Sequence, residues 1–202
     1  EPVYTVSESF AAAFTRTERG LQQTENWPVE STDSVTRATL EQGGNTLTVD
    51  VSEDAGGNKT YTASDTARTE TPDTAAAQAF ISSAATLYFS SSADFKPTDE
   101  ALAAYGLAEP SATLAVEWTR TDDASGAQES VTSVLYLGAV DANGDYYARL
   151  ADSNAVSTLN ATALSGVLGM TLDGMLPAEE ESAPESAPAS ESGSVSAASA
   201  AD

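Results

Sequence analysis

Residues 112–150 read ATLAVEWTRTDDASGAQESVTSVLYLGAVDANGDYYARL, and this stretch decides the fold. Leu114, Val116 and Trp118 alternate, which places them on one face of a strand. Asp122-Asp123-Ala124-Ser125-Gly126 is loop chemistry. Residues 131–137 follow as a second strand, apolar enough near its end for burial on both faces. Asn143-Gly144, within 141–145, is a strong hairpin turn signal. Tyr146–Leu150 and Val156–Leu159 then complete an antiparallel meander, and 161–168 reads as a short closing helix.

The pattern upstream is similar. Residues 35–40, Gly43-Gly44-Asn45, and alternating Leu47, Val49 and Val51 read as a hairpin. Gly56-Gly57-Asn58 turns the chain again, into a short strand at 60–63. Between the two strand-rich halves the period changes to that of a helix. Thr71-Pro72-Asp73 opens it, with Thr as cap, Pro in first position and an acid in the first turn. Ala77, Phe80, Ile81, Ala84 and Tyr88 follow at helical spacing. A second helix runs from Thr98 to Tyr105, with Asp99 and Glu100 at its positive end and Gly106 as terminator. Trp27 and Trp118 are expected in or beside the core. The fold class is therefore α+β: antiparallel β meanders with two to four helices packed on the sheet, plus a disordered acidic C-terminal tail.

Three segments follow. Residues 33–176 are the main α+β domain. Residues 177–202 are an Ala/Ser/Pro/Glu tail with Val195 as its one sizeable apolar side chain, too little to offset the entropy of ordering. Residues 1–32 are an N-terminal strand and helix, or the end of a preceding unit. Val3-Tyr4-Thr5-Val6-Ser7, followed by Phe10 and Phe14, echoes Val156-Ser157-Thr158-Leu159-Asn160, followed by Ala163 and Val167, at a constant offset.

Composition removes whole classes of chemistry. The chain has 31 Asp+Glu against 8 Lys+Arg, a net charge of -23, and neither His nor Cys. Thiolate and His-based nucleophilic triads are excluded, as are disulfides and ordinary zinc, copper, haem or iron–sulfur sites. So acidic a chain is a poor ligand for nucleic acid and for anionic membrane surfaces, both of which are bound through Lys and Arg clusters. Like-charge repulsion leads to the expectation of raised carboxylate pKa values, and of stability that rises on mild acidification.

Asp141, Asn143, Asp145 and Asp152 stand at positions 1, 3, 5 and 12 of a calcium loop, but Tyr146 occupies the position that needs Gly, and Arg149 faces the cation, so the hairpin reading is preferred. Asp122-Asp123, Glu53-Asp54 and Asp99-Glu100 are ordinary loop and helix-start acids. No Ser-x-x-Lys, Gly-x-Ser-x-Gly or nucleotide-binding glycine pattern occurs. No catalytic residue, metal ligand or cofactor is expected. The candidate binding residues are Tyr146, Tyr147 and Arg149. Alternation puts Tyr147 and Arg149 on one face, where the guanidinium can stack on the Tyr147 ring or bind an anion or a partner's carboxylate.

Tyr105-Gly106-Leu107 with Pro110, the strand to Trp118, Leu137-Gly138, the Asn-Gly turn and Tyr146-Tyr147-Ala148-Arg149 resemble the bacterial family called Domain of Unknown Function 4340, as does Val3-Tyr4-Thr5-Val6 leading into a helix. The resemblance covers nearly all of 1–176 and departs from the family at 155–159, which lacks the Tyr that follows Val3. It implies tandem units in an extracytoplasmic protein, held to the membrane through an upstream segment absent from this chain. It also implies a non-enzymatic role, binding or scaffolding a protein partner of the cell envelope as an accessory of an ABC-type export or transport system. The alternative is a carboxylate-based hydrolase of envelope polysaccharide, which needs two carboxylates roughly 5–10 Å apart in a cleft.

Overall fold

A computed structural model describes residues 24–177. The N-terminal strand and helix expected before residue 24, and the tail beyond Pro177, lie outside the described residues. Among the described residues the chain forms β1 (Val35–Gln42), β2 (Asn45–Glu53), β3 (Lys59–Ser64), β4 (Thr69–Glu70), α1 (Thr74–Ala85), β5 (Ser91–Asp94), α2 (Asp99–Ala104), β6 (Ala112–Thr121), β7 (Gln128–Val140), β8 (Tyr146–Leu150), β9 (Val156–Leu159), α3 (Ala161–Leu164) and α4 (Leu172–Met175). The strands make one sheet in the order β4-β3-β2-β1-β6-β7-β8-β9-β5, antiparallel at every pairing. Two meanders thus run outward from a central β1–β6 seam, and α1, β5 and α2 form the connection between them. The fold is the expected α+β class.

One face of the sheet carries the core. Ala38, Leu40, Leu47, Val49, Ala63, Leu114, Val116, Trp118, Leu135, Leu137 and Ala148 point to it at the strand period of two, and all are buried. Helix α1 covers them with Ala77, Phe80, Ile81, Ala84 and Ala85, joined by Leu164 of α3 and by Leu172 and Met175 of α4. Burying side chains as large as Phe80 stabilises by about 1.5–3 kcal/mol each. Trp27 and Val29, ahead of β1, belong to the same core.

Several local expectations need correcting. The cap of α1 is Asp73, which accepts from the Ala76 N–H at 2.9 Å while its own N–H donates to Met175 O at 2.7 Å, so the helix starts later than Thr71-Pro72 indicates. Tyr88 lies beyond the end of α1 and is exposed. In β7, Val134 and Tyr136 are only half-buried, because the strand alternates instead of being covered on both faces. The closing helix ends at Leu164 and is followed by turns and α4.

The second face of the sheet is uneven. Over β8, β9 and β5 it is covered: Val156 and Thr158 are buried there, and Leu107, after α2, is buried outside the main core. Over β3, β2, β1, β6 and β7 it is open among the described residues. Register places Ser64, Thr48, Thr39, Ala115 and Val134 in one row across the five strands, and Thr62, Asp50, Arg37, Glu117 and Thr132 in the next.

Candidate functional site

Tyr147 and Arg149 lie on that second face, at the boundary between its covered and open parts. Helix α2 sets one side of the site. Thr98 caps it by accepting from the Ala101 N–H at 3.2 Å, and the acids Asp99 and Glu100 occupy its positive first turn. Gly106 ends it at φ 71°, a conformation that favours glycine. The Ala139 N–H then donates to Tyr105 O at 2.8 Å, and this close approach requires Gly138, which has no side chain to obstruct it. The Tyr105 ring lies 4.5 Å from that of Tyr147, tilted by 44°.

Arg149 stacks over Tyr136, its register partner on β7, with the guanidinium carbon 5.3 Å from the ring centre. Sequence reasoning placed Tyr147 and Arg149 on one face, as observed, but the stacking partner is Tyr136, which it missed. Tyr146 faces the other way, pairs with Val140 and Leu159, and packs against the core. The three candidates therefore do not converge. Arg149 Nη1 donates to Ser153 O at 3.3 Å, while its Nε is shut from solvent without a partner. Among the described residues Arg149 forms no ion pair, whereas Arg37, Lys59, Arg68 and Arg120 all do.

The loop at 141–145 is a hairpin turn. Asp141 Oδ1 accepts from the N–H groups of Asn143 and Asp145, at 2.8 and 2.9 Å, and Asp145 accepts from Asn160 Nδ2 at 2.9 Å. Strand β8 separates Asp152 from this turn by five extended residues, roughly 16 Å at the rise of a strand. Asp152 therefore does not join Asp141, Asn143 and Asp145 around one point. Among the described residues no group of three or more acids is placed to hold a metal.

The same device recurs at other turns. The Asp54 carboxyl is held below its ordinary value, first by the Asn58 side chain; Asp65 by the Ala67 N–H; Asp122 by Ser125; Asp141 by the Asp145 N–H; and Asp33 by Lys59. These displaced carboxylates move downward, opposite to the rise expected from net charge, because local donors outweigh distant repulsion at these positions. A depressed carboxyl stabilises the fold above its unfolded value, here the ordinary 3.8, and that contribution is lost as pH falls through the folded values beneath it. Thermal melts at low salt are expected to be flat from about pH 7 to 5 and to fall steeply below about pH 4. A melting temperature that climbs between pH 7 and 5 would show that repulsion dominates after all.

Comparison with known proteins gives one result. Residues 66–173 match the family model described as a domain of unknown function (DUF4340), a span running from β4 to α4 and narrower than the 1–176 the sequence resemblance covers. No curated protein and no solved structure matches the chain. With more than half its length matched, including 105–149, where the most specific motifs lie, the chain belongs to the DUF4340 family.

Proposed function

We propose that the chain is a non-catalytic, extracytoplasmic module of the cell envelope that binds or scaffolds a protein, as an accessory of an ABC-type export or transport system. The observation that supports this reading most is the open sheet face. Five adjacent strands spaced about 4.8 Å apart present a field made mostly of short Ser, Thr and Ala side chains, with Val134 at its β7 edge. The field is crossed by a charged row in which Arg37 bonds Asp50 at 2.6 Å and reaches Glu117 at 3.4 Å. Small side chains let a partner approach closely, and fixed charges set its register.

A photo-crosslinking residue at Thr48 tests this in cells that make the protein, with exposed Ser82 on the helical side as control. The expected result is a discrete adduct from Thr48 only, abolished by Ala115→Arg. Equal labelling from both positions, or none from Thr48, overturns the reading. So does release of reducing ends from envelope polysaccharide by the purified chain, which would favour the hydrolase.

A further inference from the structure

The hairpin turn at 141–145 carries a chemistry of its own. Of the six asparagines in the chain, Asn26, Asn45, Asn58, Asn143, Asn154 and Asn160, Asn143 alone is followed by glycine. An asparagine carboxamide is open to attack by the backbone nitrogen of the next residue, which closes a five-membered ring. A side chain on that next residue obstructs the closure, so glycine is the most permissive neighbour. Asn143 is exposed at the tip of the turn, and nothing lies within 4 Å of the place a Gly144 Cβ would occupy. The reacting groups have room to meet, and water reaches the product.

The folded turn holds this reaction back. The Gly144 N–H donates to Asp141 O at 3.1 Å, so the nitrogen that must attack is engaged elsewhere. Asp141 Oδ2 accepts from Asn143 Nδ2 at 3.2 Å, and Asp141 Oδ1 from the N–H groups of Asn143 and Asp145. One aspartate thus clamps both reactants, and the turn must open locally before they meet. Local opening of an exposed loop tip needs far less free energy than unfolding the sheet.

The competing position is Asp173-Gly174, the one Asp-Gly pair in the chain. An ionised carboxylate is a poorer electrophile than a carboxamide. This one is also paired with Arg68, while the Gly174 N–H donates to Thr171 Oγ1 at 3.2 Å. It reacts more slowly than Asn143 on both counts.

We propose that Asn143 is a self-modification site, where the chain converts to aspartate and isoaspartate at a rate restrained by Asp141. The Gly144 nitrogen bonds to Asn143 Cγ, its proton passing through water to the departing Nδ2, and the Cγ–Nδ2 bond breaks to release ammonia. Water then opens the cyclic imide at one of its two carbonyls. Cleavage of the new bond to Cγ gives aspartate on the ordinary backbone. Cleavage of the original peptide bond leaves the main chain running through Cβ and Cγ, one carbon longer. Either product adds a negative charge beside Asp141 and Asp145. The longer one also disturbs the turn that sets Val140 opposite Tyr146. The inference does not depend on the open sheet face.

The test is incubation of the full chain at mildly alkaline pH over weeks, read by peptide mass spectrometry, with isoaspartate detected by enzymatic methylation of its carboxyl group. Conversion is expected to concentrate at position 143, as a mass gain of about one dalton, with isoaspartate present there. Asn143→Gln should abolish it, because the longer side chain closes a less favourable ring. Asp141→Ala should hasten it about fivefold, the factor that corresponds to about 1 kcal/mol of hydrogen bonding in the turn. If that variant does not fold, the parent chain in urea serves instead, and conversion there must exceed that of the folded chain. Conversion at Asn143 no faster than at Asn58, or isoaspartate appearing first at Asp173, overturns the inference. A rate that neither Asp141→Ala nor urea raises overturns the restraint assigned to Asp141.

Discussion

Alanine in place of Trp118 is expected to cost about 3–5 kcal/mol of stability, the range for emptying a large aromatic site. The indole is 2% exposed in the middle of the core face. It also carries a buried hydrogen bond, Nε1 donating to Ser133 Oγ at 2.9 Å, so truncation leaves the Ser133 hydroxyl without that partner. For a body of about 150 residues each kcal/mol moves the melting temperature by about 2–4 °C, so a drop of at least about 6 °C should be seen in a thermal melt. Trp118→Phe separates the two contributions, because it refills most of the volume but removes the donor. A loss of about 1–3 kcal/mol is expected for it. If Trp118→Ala melts within a degree or two of the parent chain, the core is not packed as described.

Gly138→Ala should cost about 1–3 kcal/mol for a different reason, overpacking against backbone. A Cβ at this position collides with the Tyr105 carbonyl oxygen and comes within 3.1 Å of the Gly106 carbonyl carbon. Neither is the tip of a flexible side chain, so relief requires the turn after α2 to lift from β7. That would break the bond from Ala139 to Tyr105 O and separate the Tyr105 and Tyr147 rings. The expected signature is a lower urea midpoint together with a changed near-ultraviolet tyrosine signal. A change in one without the other would mean that the turn does not anchor the ring pair.

Gly138 also shows where reading the sequence stops. The Asn143-Gly144 turn was legible, and a regular hairpin continued outward from the Val140–Tyr146 pair would set Leu137 opposite Arg149. The register shift between Leu137 and Val140 adds a residue to β7, and Tyr136 takes that place instead. A glycine inside a strand is the one trace of such a bulge in the sequence, and it does not give its direction. The meanders were readable because their apolar positions alternate, and α2 because its cap, first-turn acids and terminating glycine all agree. Strand β5 was not, since Ser91-Ser92-Ala93-Asp94 has no apolar alternation and owes its form to pairing with β9. The start of α1 was misplaced because Asp73 is fixed by Met175, about a hundred residues away. Of the site, the shared face of Tyr147 and Arg149 followed from period alone. The partners Tyr105 and Tyr136 depended on tertiary register.

The central β1–β6 seam bears on the order in which the chain folds. Within each meander neighbouring strands are close in sequence, as at Gln42 and Asn45, which face each other across a two-residue turn. Leu40 and Leu114 face each other across the seam with more than seventy residues between them. Closing a loop of that length costs roughly 4 kcal/mol by the logarithmic law, and the cost falls due before the long-range contacts compensate for it. The hairpins can zip early and independently, and the joining of the two halves sets the rate. Substitutions along the seam, such as at Ala38 or Val116, should therefore slow folding, while those at the outer strands should mainly hasten unfolding.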